Sequence, residues 1–153
     1  MNEQAKKYWD EFWKGKEAPV KVVAEQFGWE GTPLADELAD LIVKGIKTGT
    51  CSGHMFYGEN DPLPEVGQYT VILNSKDMPV AIVRTTVVEI MPLNEVGEEF
   101  ATSEGEGDLS YRHWWNGHVK FFAQECEEAG MLFSEDMLVV CETFELVDVK
   151  GSY

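Results

Sequence analysis

Gly45-Ile46-Lys47-Thr48-Gly49-Thr50 places an amine beside two hydroxyls, and farther along FATSEGEGD, residues 100–108, gathers Glu104, Glu106 and Asp108 among glycines. Amide hydrolysis needs a nucleophile, a group to move its proton, and donors for the developing oxyanion. Thr50, Lys47 and Glu104 could supply all three. Two physical conditions apply. Residues three apart on a regular strand point to opposite faces, so Lys47 and Thr50 would diverge. A bulge or positive φ at Gly49 would turn both toward one cleft. For Lys47 to act as a base near neutral pH, burial would have to lower its pKa from roughly 10.4 by about three units. A carboxylate such as Glu104 beside it stabilises the ammonium form instead. The same constellation equally supports Lys47 as a fixed cation gripping a carbonyl or phosphate oxygen. In the plainest alternative, Gly45 ends a helix, Lys47 solvates a strand, Thr50 follows β propensity, and the acids form a solvated loop and a helix cap.

Other reactive side chains carry less. Cys51 adjoins the segment, but no histidine stands at a diagnostic position, and a buried strand thiol is the commoner outcome. His113 and His118 are five apart, about 140° around a helix, and with His54 they make no zinc motif. Neither metal nor cofactor is expected. Arg84, one of two arginines, is a candidate phosphate contact, with an ion pair to one of the many carboxylates as its ordinary role. Tyr111, Arg112, Trp114 and Trp115 could stack a base if their helix end borders the cleft, and are otherwise core.

The elements that must position these groups follow from periodicity. Tyr8, Trp9, Phe12 and Trp13 recur at helical spacing over Glu3 to Lys14, and Gly15 offers a stop. A second short helix is predicted from Val20 to Phe27, ended by Gly28. The third has the clearest grammar: Thr32 as N-cap, Pro33 at the first position, Leu34, Leu38, Leu41 and Ile42 as its buried face, and Gly45 as the C′ residue. It delivers the chain into a strand over Lys47 to Ser52. The stretch from Gly53 to Val66 reads as a surface loop. Gln68 to Leu73 and Val80 to Ile90 form a hairpin turning near Asn74 to Asp77. Phe100 to Asp108 reads as a loop, Leu109 to about Ala129 as a helix capped by Asp108, and Met137 to Val147 as a last strand. This order is α+β, without the βαβ alternation of a doubly wound fold.

The 153 residues fit one domain spanning 1–153, with residues 1–31 as an N-terminal helical extension. A hydrophobic fraction of 44% is ordinary globular usage and excludes a disordered chain. The formal net charge of −16 repels polyanions, which disfavours duplex DNA; a small nucleoside escapes most of that repulsion. Cys51, Cys126 and Cys141, odd in number and widely spaced, suit reduced thiols in the cytoplasm. No stretch approaches the roughly 18 apolar residues of a membrane span.

ELADLIVKGIKTGTCSG resembles the G-x-K-x-x-T signature of ASCH domains. The likeness runs on through LPEVGQYTVIL at 63–73, EFATSEGEGDLSYRHWW at 99–115 and FSEDMLVVCETFELV at 133–147, in an order that suits the longer bacterial branch. The resemblance implies a PUA-like small mixed β-barrel with flanking helices, and a cleft that binds RNA or nucleotide-like ligands. A shorter relative in that family removes the acetyl group from N4-acetylcytidine with a Lys, a Thr three residues later and a Glu in an acidic loop. These map onto Lys47, Thr50 and Glu104. The expectation is therefore an amidohydrolase acting on a modified pyrimidine nucleoside, with Thr50 as nucleophile, Lys47 as activator and Glu104 assisting. Gly45, Thr48, Gly49, Arg84, Tyr111 and Trp114 would contact substrate. The rival expectation is a non-catalytic module for single-stranded RNA or nucleotides. A third is an acidic interaction domain that uses the N-terminal aromatic helix as its surface.

Overall fold

The computed structural model describes residues 1–151 and is built on one five-stranded mixed sheet. Its strands are β1 (Val22–Glu25), β2 (Gly49–Gly53), β3 (Tyr69–Leu73), β4 (Pro79–Pro92) and β5 (Leu138–Val149), in the order β1-β3-β4-β5-β2. β1 runs parallel to β3, and the other pairs are antiparallel. The β-branched run of β4 fits a pleated, half-buried surface. Register shifts at Ile82/Val83 and Thr85/Val87 let the long β4–β5 ribbon bend. β2 is left at one end of the sheet, with one edge unpaired.

Helices cover both faces. α1 (Glu3–Phe12) starts at Asn2, whose side chain accepts the Ala5 N–H, and buries Tyr8 and Trp9 against Val71, Leu73 and Ile82. Of its aromatic stripe, Tyr8 and Trp9 are buried and Phe12 and Trp13 pack half-buried on the same cluster, which leaves only part of the surface that the interaction-domain expectation used. α2 (Pro33–Val43) sets Ala39 and Ile42 on the opposite face, against Ile72, Val83 and Phe144. α3 (Glu98–Ser103) and α4 (Tyr111–Glu128) close a third cluster, in which Trp114 and Phe122 meet Cys51, Val139 and Cys141. No helix among the described residues is long and apolar enough to cross a membrane.

Three local expectations need correction. The segment expected as a helix over Val20 to Phe27 is the strand β1, because Val22 and Val23 pair beside β3 and the chain turns at Gly28 (φ +78°). Part of the loop expected over Phe100 to Asp108 is helical: Glu98 and Glu99 place negative charge in the first turn of α3, where the helix dipole favours it. The cap of α4 is Ser110, whose Oγ accepts the His113 N–H at 3.1 Å, while Asp108 accepts the Ser110 N–H at 2.9 Å.

The end of α2 aims the chain at the site. The Gly45 N–H bonds Ile42 O at 2.9 Å and the Ile46 N–H bonds Leu41 O at 3.0 Å. This paired pattern of helix termination needs a left-handed residue, and Gly45 supplies it with φ +74°. A Cβ at Gly45 would meet nothing within 4 Å, so its requirement is conformational alone. Gly45→Ala is expected to cost about 1–2 kcal/mol, read as a lower urea midpoint. Gly58→Ala, also in open space but outside the left-handed region, should leave the midpoint unchanged or slightly higher.

Candidate functional site

The site begins with a clamp between two loops. Thr48 donates its N–H to Ser103 O at 2.8 Å, and its carbonyl accepts the Phe144 N–H at 2.9 Å. Gly49 is buried, and a Cβ there would lie 2.6 Å from Ser103 Oγ. Past α3 the chain reads Glu104-Gly105-Glu106-Gly107, and both glycines are left-handed, at φ +70° and +59°. A Cβ on Gly105 would come within 2.7 Å of Ile46 O, and one on Gly107 within 2.2 Å of the His113 ring. The alternating glycines thus let the acidic loop lie against the segment entering β2, with both glutamates turned to Lys47.

Lys47 is 2% exposed, and its Nζ donates to Glu104 Oε1 at 2.9 Å, Glu106 Oε2 at 3.0 Å and Glu104 O at 3.4 Å. The two carboxylates take two ammonium protons, and the third has only the long approach to the Glu104 carbonyl. Burial alone would lower the Lys47 pKa, but the charges of Glu104 and then Glu106 outweigh it and raise the value above 10.5. The cation is therefore fixed, and the condition for a lysine base near neutral pH is not met.

Glu104 is held from its other side by α4. Its Oε2 accepts Trp114 Nε1–H at 2.5 Å and lies 2.9 Å from His118 Nε2, while His118 Nδ1 lies 2.8 Å from Trp114 O. Both imidazole nitrogens face acceptors, which only the doubly protonated ring satisfies. Burial opposes that charge, yet the hydrogen bond and charge of Glu104 raise the His118 pKa. For Glu104, burial would raise the carboxyl pKa, but Lys47 and His118 together bring it down to about 2. Trp114 and His118 stack with ring centroids 4.2 Å apart, as residues four apart on a helix can.

Beside this network lies a cavity of about 430 Å³ bounded by α4, α2, the β1–α2 connection and β2. Lys47, Glu104 and Glu106 line it with Thr50 and Cys51. Trp29 and Phe121, rings 4.5 Å apart, form an aromatic wall with Leu34 and Leu38, and His113 and Lys120 line it as exposed groups.

Lys47, Thr50, Glu104 and Trp114 therefore share one cavity, though not by the expected backbone event. Gly49 has no positive φ and β2 pairs with β5 without a register shift. β2 starts at Gly49, so Lys47 precedes the strand and escapes its alternation. Gly45 acts through its backbone, and Thr48 through its backbone and through its hydroxyl, which donates to Ser103 O at 3.3 Å; neither lines the cavity. Arg84 does not line the cavity; it is exposed and reaches Glu145 at 3.4 Å. Tyr111 donates its hydroxyl to Val96 O and borders a separate, shallow groove with Arg112 and Trp115. The Cys51 thiol bonds its cross-strand neighbour Cys141, and that bond and burial raise its pKa well above 9.0, which opposes a thiolate nucleophile. Among the described residues, Glu104, Glu106 and His118 are close enough to hold a metal, with ligand atoms within 4.8 Å. The Lys47 ammonium already bonds both carboxylates. His118, read from the sequence only as part of no zinc motif, is a member of the network; its i,i+4 spacing from Trp114 is the signal that points to it.

The ASCH domain family matches residues 24–148. The fold is similar to that of an ASCH domain from Lactobacillus crispatus JV V101, at 34% identity and a TM-score of 0.87, covering 95% of each chain. A protein of Enterococcus faecalis V583 is 37% identical with a TM-score of 0.84, over 100% of this chain and 98% of its own. An ASCH protein from Zymomonas mobilis shares the fold alone, at 13% identity and a TM-score of 0.50, over 84% of this chain and 66% of its own. No curated protein matches the sequence.

Removing one member of a buried charge network leaves the others uncompensated, so Glu104→Gln is expected to cost about 3–5 kcal/mol at pH 7 in chemical denaturation. The folded carboxyl sits near 2, below its ordinary 4.5, so its stabilisation is present above pH 4.5 and is lost as pH falls toward 2. That part of the acid loss of stability should vanish in Glu104→Gln. His118 has the opposite sign: its stabilisation is complete below pH 6.5 and fades as pH rises through its raised folded value.

Proposed function

Because the chain belongs to the ASCH domain family and has its PUA-like α+β fold, we propose that it is a hydrolase cleaving the exocyclic amide of a modified pyrimidine nucleoside, such as N4-acetylcytidine. The observation that carries this reading is the Lys47 ammonium, fixed between two carboxylates in a cavity that Thr50 shares. A preorganised cation in a water-poor site stabilises negative charge on an acyl oxygen far better than a solvated one. Lys47 thus serves as an electrostatic stabiliser, and Thr50 attacks the acyl carbon. The aromatic wall of Trp29 and Phe121 offers the flat apolar contact a pyrimidine ring needs.

A second reading, a module that binds single-stranded RNA or nucleotides without cleaving them, draws on the exposed Lys120 and His113 beside that wall. Stacking on aromatic rings and a cation near the phosphates are its physical requirements. The two readings separate by turnover.

Purified protein is expected to release acetate from N4-acetylcytidine. Thr50→Ala should abolish that turnover, while Lys47→Ala should lower kcat by about 100-fold or more. Lys47→Ala strands two buried acids, so Thr50→Ala, which removes a single hydroxyl, is the cleaner control. Unchanged N4-acetylcytidine together with salt-sensitive binding of a short single-stranded RNA would favour the binding module.

A further inference from the structure

Amide hydrolysis moves a proton off the nucleophile and another onto the departing nitrogen, so it requires a group that can accept one and give it back. The network leaves few candidates. Lys47 carries its proton permanently between Glu104 and Glu106. His118 has both ring nitrogens facing acceptors. Glu104, 2% exposed, takes Lys47 on one oxygen and both Trp114 and His118 on the other.

Glu106 is built differently. Its Oε2 takes the Lys47 ammonium at 3.0 Å, and its Oε1 has no hydrogen-bond partner among the described residues. Its side chain is 25% exposed and lines the same cavity as Thr50. The left-handed glycines on either side fix where it points. His113 and Lys120 are the exposed ionisable side chains that also line the cavity, and His113 has its ring beside Gly107.

We propose that Glu106 is the proton-carrying catalytic residue of this site and that Glu104 is a positioning residue that holds Lys47. This rests on the amide-hydrolase reading. As the Thr50 Oγ–C bond forms, the Oγ–H proton passes to Glu106 and the carbonyl electron pair moves onto oxygen, facing Lys47. The oxyanion collapses, the C–N bond breaks, and Glu106 returns its proton to the nitrogen, leaving the pyrimidine amine. Water then attacks the acyl-threonine. Glu106 takes a water proton and gives it to Thr50 Oγ as the ester bond breaks, and the carboxylic acid leaves. Every bond and proton balances without an outside oxidant or reductant.

The test compares wild type, Glu106→Gln, Glu104→Gln and His113→Gln on N4-acetylcytidine, reading kcat, KM, the pH–rate profile and the thermal midpoint. Glu106→Gln should lose at least about 100-fold in kcat with little change in KM. Its thermal midpoint should fall only modestly, because Glu106 is 25% exposed and Lys47 keeps Glu104, while the kcat loss persists well below that midpoint and the acid limb seen in wild type is lost. Glu104→Gln, which empties a fully buried position, should show the larger fall in thermal midpoint. A Glu106→Gln enzyme that keeps more than about a third of kcat, or one whose losses follow only a fallen midpoint, overturns the assignment, as does loss confined to His113→Gln. A wild type that leaves the amide intact removes the hydrolase reading and this proposal with it. A cleaving wild type beside a cleaving Glu106→Gln removes this proposal alone.

Discussion

A lysine ammonium sealed inside the protein is the constraint around which the chain is arranged. Taking such a cation out of water costs several kcal/mol, repaid only when its protons and its partners' lone pairs are all engaged in good geometry. Lys47 meets most of that condition through short bonds to Glu104 and Glu106, with the Glu104 carbonyl farther off at 3.4 Å and Glu106 Oε1 without a partner among the described residues. Glu104 meets it through Lys47, Trp114 and His118. The elements involved come from three separate parts of the chain: the exit from α2, the loop after α3 and the first turns of α4. The network therefore orients the acidic loop and the late helix as much as it serves any ligand. Removing one partner should be felt in folding as well as in chemistry.

The same network explains how a chain with a net charge of −16 can hold a cavity whose buried charges nearly cancel. Lys47 and His118 offset Glu104 and Glu106, so the excess negative charge lies elsewhere on the surface. Solvent and salt screen it there within about a Debye length. The buried charges keep their strength because little water reaches them.

Much of the scaffold was legible in local chemistry. The proline start and glycine stop of α2, the β-branched run of β4 and the aromatic period of α1 each state their structure within a few residues. β1 was not, because four residues cannot establish a period and their strand character comes from pairing with β3. α3 was hidden by the acid and glycine of the loop that follows it. In the site, Lys47, Thr50 and Glu104 were readable as a set, but the reason they meet was not. Gly49 looked like a hinge, whereas its missing side chain makes room for Ser103. That is a tertiary contact which spacing cannot reveal. The standing of Glu106 beside Glu104 was equally invisible, since it depends on which carboxylate α4 covers.

The charge of Lys47 is the point at which this structure is most exposed to direct measurement. Heteronuclear NMR of the Lys47 Nζ across a pH titration reads it without substrate, comparing wild type with Glu104→Gln. A resonance that stays in the ammonium form past pH 10.5, the ordinary lysine value, and titrates earlier once Glu104 is neutralised, is the result expected of a cation locked between two carboxylates. A Lys47 in the wild type that sheds its proton between about pH 6 and 8 would contradict it, and would return the lysine to the role of base.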